Sequence, residues 1–140
     1  MASYSFERTV NMPIEKVWPL IGDFTKSPGP DISVTVEKHG DPKAGGAGTT
    51  RTIKIGKVCV REVLDTADPP RGFTYRILSG APMKNYFGKV AFEDKAGKTL
   101  IRWSADLTPK IPFTAGICWK VAKGAIQKLI DSVEKHHALK

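Results

Sequence analysis

The amino-acid sequence predicts an α+β protein in which about seven antiparallel strands form a curved sheet around one long C-terminal α-helix, with one or two short helices after strand 1. Two observations favour this class: hairpin-linked runs of alternating apolar and polar residues fill the middle of the chain, and a long amphipathic stretch follows them. The chain also lacks the strand–helix alternation of parallel sheets. Its 140 residues suit one domain, so we expect residues 1–140 to form a single domain.

The N-terminal third begins with a strand and a short helix. Side chains alternate over Ser3–Asn11, which indicates a strand with one buried face. Pro13 suits the first turn of a helix, and Gly22 is a natural stop. Pro19 removes a backbone donor, so this helix should be short or kinked. The turn-rich segment that follows has room for another helical turn around Phe24.

Period-2 alternation then predicts the remaining strands of the sheet. Gly56-Lys57 is a two-residue hairpin turn, and the Gly/Ala/Pro-rich segment His39–Gly48 is a loop. The predicted strands are Ile32–Lys38, Thr49–Ile55, Val58–Asp65, Phe73–Ser79, Asn85–Glu93 and Lys98–Thr108.

The long helix is predicted over Phe113–His137, where apolar residues recur about every four positions. Trp119 adjoins the charged face, so we expect it to be exposed near a pocket mouth. Gly124 lies in mid-helix, where glycine is unfavourable, and serves either close packing or ligand space. We place three apolar residues of this helix against the sheet: Val121, Ala125 and Leu129.

Composition excludes several classes of protein. No apolar run approaches the ~18 residues of a membrane span, so we expect no membrane insertion. The N-terminus lacks the layout of a signal peptide, which favours a cytoplasmic protein. Two distant cysteines and three histidines predict neither a metal site nor a cofactor. The net charge of +8 is spread singly without interleaved aromatic residues, so we expect no nucleic-acid partner.

Five segments of the sequence form a familiar series. They are Pro13–Trp18, Arg61–Leu64 before an Asp-Pro turn, Phe73–Ile77, Ser79–Pro82 followed by Asn85-Tyr86, and Arg102-Trp103. In this order they resemble the START-like, Bet v 1-like (SRPBCC) superfamily, and particularly its polyketide cyclase/dehydrase-like branch. The resemblance covers essentially the whole chain and implies that residues 1–140 are a single ligand-binding domain of this superfamily.

The resemblance implies a helix-grip fold with a hydrophobic pocket between the sheet and the C-terminal helix. Members of the superfamily bind steroids, lipids, plant hormones or polyketides, and some are cyclases or dehydratases. Fold alone does not decide among these activities.

Strand parity places two charged residues, Arg51 and Glu62, on otherwise apolar inner faces. A buried lone charge is unfavourable, so each needs a partner. One interpretation is an ion pair that closes one end of the cavity. A second has both residues orient a polar ligand group, with Glu62 as general acid or base. The third is an error of one residue in our register, which would turn both side chains outward.

Three functional hypotheses follow. The first is a protein that binds a lipophilic small molecule, as a monomer or homodimer. The second is an enzyme of the same fold that performs cyclisation or dehydration with Glu62 and Tyr86 as catalytic residues. The third is a module that uses its basic surface on an anionic partner. The predicted ligand-binding residues are Arg51, Ile53, Glu62, Tyr75, Ile77, Tyr86, Gly88, Val90, Trp103, Val121 and Ala125.

Overall fold

The computed structural model of the protein describes residues 2–137. The strands and helices are β1 (Ala2–Val10), α1 (Ile14–Ile21), β2 (Ile32–Lys38), a 3-10 turn (Pro42–Ala44), β3 (Thr50–Ile55), β4 (Val58–Asp68), β5 (Gly72–Ser79), β6 (Met83–Lys95), β7 (Lys98–Pro109) and α2 (Ala115–His137). This is the predicted α+β, helix-grip arrangement, with the predicted seven strands.

One curved antiparallel sheet contains all these strands in the order β1-β7-β6-β5-β4-β3-β2. Strands β2 to β7 are joined to their neighbours in chain order. The first two strands lie at opposite edges, so the chain crosses from one edge to the other through α1. Alternate residues along a strand point to the inward face, and the alternating burial of β7 illustrates this pattern.

Helix α2 packs against the sheet through an apolar stripe that includes Leu129, Ile130 and Val133, all buried. Ion pairs fix its C-terminal half, since Arg8 on β1 lies 2.6 Å from Asp131 and 2.5 Å from Glu134. The helix therefore closes the concave side of the sheet, as the amphipathic pattern predicts.

Helix α1 and the turn after it close one end of the space between sheet and α2. Trp18 meets Phe73 and Phe92 edge-on, with ring centroids 6.0 and 6.1 Å apart. Phe24 meets Phe73 at 5.6 Å. Such edge-to-face contacts between large rings fill this end densely. The helix has eight residues and contains Pro19, which agrees with the predicted short helix.

Local structure departs from the sequence prediction at several places. Strand β4 ends at Asp68, three residues later than predicted, and α2 begins at Ala115, two residues later than predicted. Phe24 lies in a turn and not in a helical turn. The predicted loop His39–Gly48 contains the 3-10 turn, which Asp41 caps by accepting a hydrogen bond from the Lys43 amide at 2.9 Å. Strand β6 begins at Met83, two residues earlier than predicted. Within residues 2–137 we find no helix with the length and apolarity to span a bilayer.

Candidate ligand-binding cavity

A cavity of about 350 Å³ lies between α2 and the inner face of β3 to β7. Its volume is at the lower end of the range typical of small-molecule sites. The wall is mainly apolar and aromatic. Exposed or half-buried residues mark its mouth: Lys57, Cys59, Gly80, Pro82, Met83 and Val121.

Arg51 and Glu62 form a buried ion pair in the wall of the cavity. The Arg51 Nε donates to Glu62 Oε1 at 2.8 Å, and a terminal guanidinium nitrogen lies 2.6 Å from the same oxygen. The two residues are 4% and 6% exposed. The guanidinium carbon also lies 3.7 Å from the centre of the Phe24 ring, as in a cation–π contact. The arginine is thus held from two sides.

The hairpin between β3 and β4 explains why these two residues meet. Gly56 adopts a positive φ of 58°, which a tight two-residue turn readily uses. The turn pairs Ile55 with Val58, and this register places Arg51 directly opposite Glu62 on the inner face. Directly opposed side chains lie within reach of one another. The register on which this face assignment rests is therefore confirmed.

Three aromatic residues form a hydrogen-bonded chain on the neighbouring strands β5, β6 and β7. The Trp103 Nε1–H donates to the Tyr75 hydroxyl at 2.9 Å, and the Tyr75 and Tyr86 hydroxyls are 2.9 Å apart. All three are buried and line the cavity. Burial raises the pKa of Tyr75 well above its ordinary value. Burial likewise raises the pKa of Tyr86 to about 12, so both phenols are neutral near pH 7.

Nine of the eleven predicted ligand-binding residues lie in the cavity wall. They are Arg51, Ile53, Glu62, Tyr75, Ile77, Tyr86, Trp103, Val121 and Ala125. Gly88 and Val90 share the predicted face but do not reach the wall. A Cβ added to Gly88 would lie 2.1 Å from a ring carbon of Tyr75, so this glycine gives the tyrosine ring its space. Val90 is packed in the core, 1% exposed.

Helix α2 contributes two small residues, Ala122 and Ala125, to the cavity wall. Val121 also lines the cavity, but it stands at the mouth with 50% of its surface exposed. The prediction that places Val121 against the sheet is therefore wrong, because half of this residue is open to solvent. The prediction that Trp119 is exposed is also wrong. Trp119 is 8% exposed and stacks on Tyr4 of β1 at 5.6 Å.

Phe24, Phe73, Ala122 and Leu129 line the cavity without having been predicted as ligand-binding residues. Phe73 shares its face with Tyr75, and Leu129 lies on the predicted inner stripe of α2, so parity and periodicity could have found them. Phe24 lies in an irregular segment where no periodicity operates. Among residues 2–137, no group of three His, Cys, Asp or Glu side chains is arranged to hold a metal ion.

Comparisons with known proteins identify a family and a shared fold. A family model described as "Polyketide cyclase / dehydrase and lipid transport" matches residues 1–138. Among curated proteins, none matches the chain.

Solved structures of similar fold include XoxI from Bacillus cereus, with 22% identity, a TM-score of 0.76 and coverage of 96% of this chain and 94% of that one. Ara h 8.0201 has 20% identity and a TM-score of 0.76, with 96% of each chain covered. A START superfamily protein from Mycobacterium smegmatis has 14% identity and a TM-score of 0.73, with 95% of this chain and 94% of that one covered. At these identities the likeness concerns the fold alone.

Proposed function

Because the chain belongs to the polyketide cyclase/dehydrase and lipid-transport family, we propose that it binds a lipophilic small molecule in the cavity between the sheet and α2. One observation carries the proposal: the cavity is open at one end and apolar along most of its wall, yet two polar groups, the Arg51–Glu62 pair and the Tyr75–Tyr86 hydroxyls, are built into it. A few placed polar groups in an apolar concavity are typical of sites that orient a ligand.

The polar groups favour a neutral ligand. The Arg51 charge is already compensated by Glu62, which leaves no unpaired cation in the buried wall to attract a carboxylate. Both Arg51 contacts end on Oε1, and Oε2 of Glu62 is the oxygen that remains to accept a ligand hydroxyl. We therefore propose an aromatic or polyketide-like ligand that carries hydroxyl or carbonyl groups but no net negative charge.

Tyr86 is the donor in this proposal. Tyr75 accepts the indole hydrogen of Trp103, and among the described residues its own hydrogen has the Tyr86 oxygen as acceptor. If Tyr75 donates in this direction, the Tyr86 hydrogen is left for a ligand carbonyl or hydroxyl oxygen. A Tyr86→Phe variant should then weaken binding of ligands that carry such an acceptor more than it weakens binding of hydrocarbons.

The same geometry makes acid–base catalysis the weaker hypothesis. Glu62 is engaged by Arg51, whereas a free general base would need an unpaired carboxylate. The pKa of about 12 makes Tyr86 a poor proton donor and acceptor near pH 7, although it remains a good hydrogen-bond donor.

The free thiols of Cys59 and Cys118 fit a reducing compartment, so we propose the cytoplasm as the site of action.

The test uses the neutral fluorescent probe N-phenyl-1-naphthylamine and a variant that fills the cavity. Ala125 lines the cavity, so Ala125→Leu should keep the fold and reduce probe affinity at least tenfold. Ala91→Leu is the matched control, because Ala91 alternates with the inward Val90 and faces away from the cavity. If the wild type shows no saturable fluorescence increase, or if both variants behave alike, the proposal fails. Native mass spectrometry of the purified protein then addresses the natural ligand.

A further inference from the structure

An exposed apolar patch lies beside the mouth of the cavity. We name it the mouth patch and define it as Ile111, Phe113, Ile117 and Val121. Their side chains are 65%, 103%, 66% and 50% exposed, in that order. Ile117 and Val121 are one helical turn apart on α2, and Ile111 and Phe113 belong to the segment that leads into it. Clustered exposure of large apolar side chains marks an interaction surface more often than scattered exposure does.

Hydrogen bonds tie the mouth patch to the rim of the cavity. The Lys110 amide donates to the Pro82 carbonyl at 3.1 Å, and the Cys118 thiol lies 3.7 Å from the same oxygen. Pro82 and Val121 both line the cavity. Whatever covers the mouth patch therefore also faces the entrance of the cavity.

Phe113 has an unusual conformation for an aromatic residue. Its φ is 68°, in the left-handed region that bulky side chains seldom adopt. The turn is held locally, since the Thr114 hydroxyl donates to the Ile111 carbonyl at 2.6 Å. The ring is fully exposed and makes no ring contact within the described residues. The protein thus presents a large apolar side chain to the outside at the N-terminal end of α2.

The charge around the mouth patch is of one sign. Segments 78–86 and 109–123, which carry the patch and the adjoining rim, contain four lysines and no acidic residue. Lys57 adds a fifth cation at the mouth. Four of the five are exposed: Lys57, Lys84, Lys110 and Lys120. Among the described residues none of these four forms a salt bridge, so their charge is available to an anionic partner.

We propose that the mouth patch and its lysines dock the protein on an anionic lipid bilayer, with Phe113 and Ile117 entering the headgroup region and the cavity mouth facing the membrane. Apolar side chains ringed by cations are the combination that binds such a surface reversibly. A second copy of the chain fits less well, because a two-fold interface through this patch would bring the same lysines together. The docking is peripheral and needs no spanning helix.

Membrane docking is a property separate from ligand binding, although it gives a lipophilic ligand a route between membrane and cavity. Membrane docking depends on the rim of the cavity and ligand binding depends on its interior, so a substitution can abolish one without the other. Ala125→Leu should weaken binding of the naphthylamine probe and leave vesicle binding unchanged. The double variant Phe113→Ser, Ile117→Ser should weaken vesicle binding and leave probe binding unchanged.

The experiment measures partitioning onto vesicles of equal parts phosphatidylcholine and phosphatidylglycerol, and onto phosphatidylcholine alone, by flotation. The wild type should bind the anionic vesicles at least tenfold better, and this binding should weaken as salt is added. The double variant Phe113→Ser, Ile117→Ser should bind the anionic vesicles with an affinity at least tenfold lower than the wild type. Its melting temperature should be unchanged, since both side chains are exposed. Phe87→Ser is the matched control, because Phe87 is 43% exposed on the opposite face of the sheet.

Charge variants separate a local site from net charge. The double variant Lys110→Glu, Lys120→Glu should bind the anionic vesicles with an affinity well over tenfold lower than the wild type, because a single lysine near the membrane surface raises this affinity about fivefold. The control variant Lys54→Glu, Lys89→Glu makes the same change in net charge, but on the outer face of the sheet. Its affinity for the vesicles should fall much less. The proposal is overturned if the wild type does not partition onto anionic vesicles, or if the outer-face variants lose as much as the mouth variants. A dimer that dissociates on Phe113→Ser, without loss of vesicle binding, would identify a second copy as the occupant.

Discussion

Replacing Glu62 by glutamine tests whether the buried ion pair supports the fold. The substitution keeps the shape of the side chain and removes its charge, which leaves the Arg51 guanidinium buried without a counter-charge. Breaking a buried pair from one side typically costs about 3–5 kcal/mol. The amide oxygen of glutamine can still accept one hydrogen bond, which returns about 1 kcal/mol. We therefore expect a loss of about 2–4 kcal/mol in the free energy of unfolding.

Urea unfolding followed by tryptophan fluorescence measures this loss, and a thermal melt gives the matching fall in Tm of roughly 8–15 °C. Glu37→Gln is the control. Glu37 pairs with Arg61 on the outer face, where the side chains are 32% and 48% exposed. An exposed pair contributes less than about 1 kcal/mol. The double variant Arg51→Met, Glu62→Met removes both charges and should recover most of the lost stability.

An unchanged urea midpoint for Glu62→Gln would refute the reasoning about the ion pair. If stability stays unchanged while probe binding weakens, Glu62 is a ligand-orienting or catalytic acid whose charge the fold does not require. If stability falls as far for Glu37→Gln as for Glu62→Gln, burial is not what makes the pair important.

Three further outcomes are expected. Gly88→Ala should displace the Tyr75 ring and destabilise the protein by about 1–3 kcal/mol, with a change in tryptophan fluorescence because Trp103 donates to Tyr75; an unchanged spectrum and melt would show that the ring has room. Gly124→Ala should raise stability by about 0.5–1 kcal/mol in urea unfolding, because an added Cβ meets nothing within 4 Å; a loss would reveal a packing role. Stability should fall as pH rises from about 10 towards 12, because the neutral forms of Tyr75 and Tyr86 are favoured in the fold while unfolded phenols ionise near pH 10; a flat profile over this range would contradict the raised pKa values.

Short-range periodicity was sufficient to predict the sheet, the C-terminal helix and the polar pair. Once the turn at Gly56 is placed, parity alone brings Arg51 and Glu62 to the same face and opposite one another. Nothing beyond neighbouring residues is needed for that inference. The Arg51–Glu62 pair is therefore determined by the sequence of two adjacent strands, β3 and β4.

Short-range periodicity does not predict how deeply a side chain is buried or which segment covers it, because both depend on segments distant in the sequence. Parity assigns Gly88 to the inner face correctly, but it cannot show that the Tyr75 ring occupies the space above it. The lysine beside Trp119 suggests exposure, whereas β1 supplies Tyr4 as its stacking partner. Val121 lies on the apolar stripe of α2, yet half of this residue is open to solvent at the mouth.

The distribution of large and small side chains explains why a cavity persists in a protein that could fill it. Around α1, aromatic rings meet edge to face and leave little free space. Helix α2 contributes Ala122 and Ala125 to the cavity wall, and these side chains are too short to fill the space beside the sheet. Arg51 lies at the boundary, with Phe24 of the aromatic end on one side and Glu62 on the other. The packed end thus fixes the polar pair in place, and the open end keeps its volume without loss of the core that stabilises the fold.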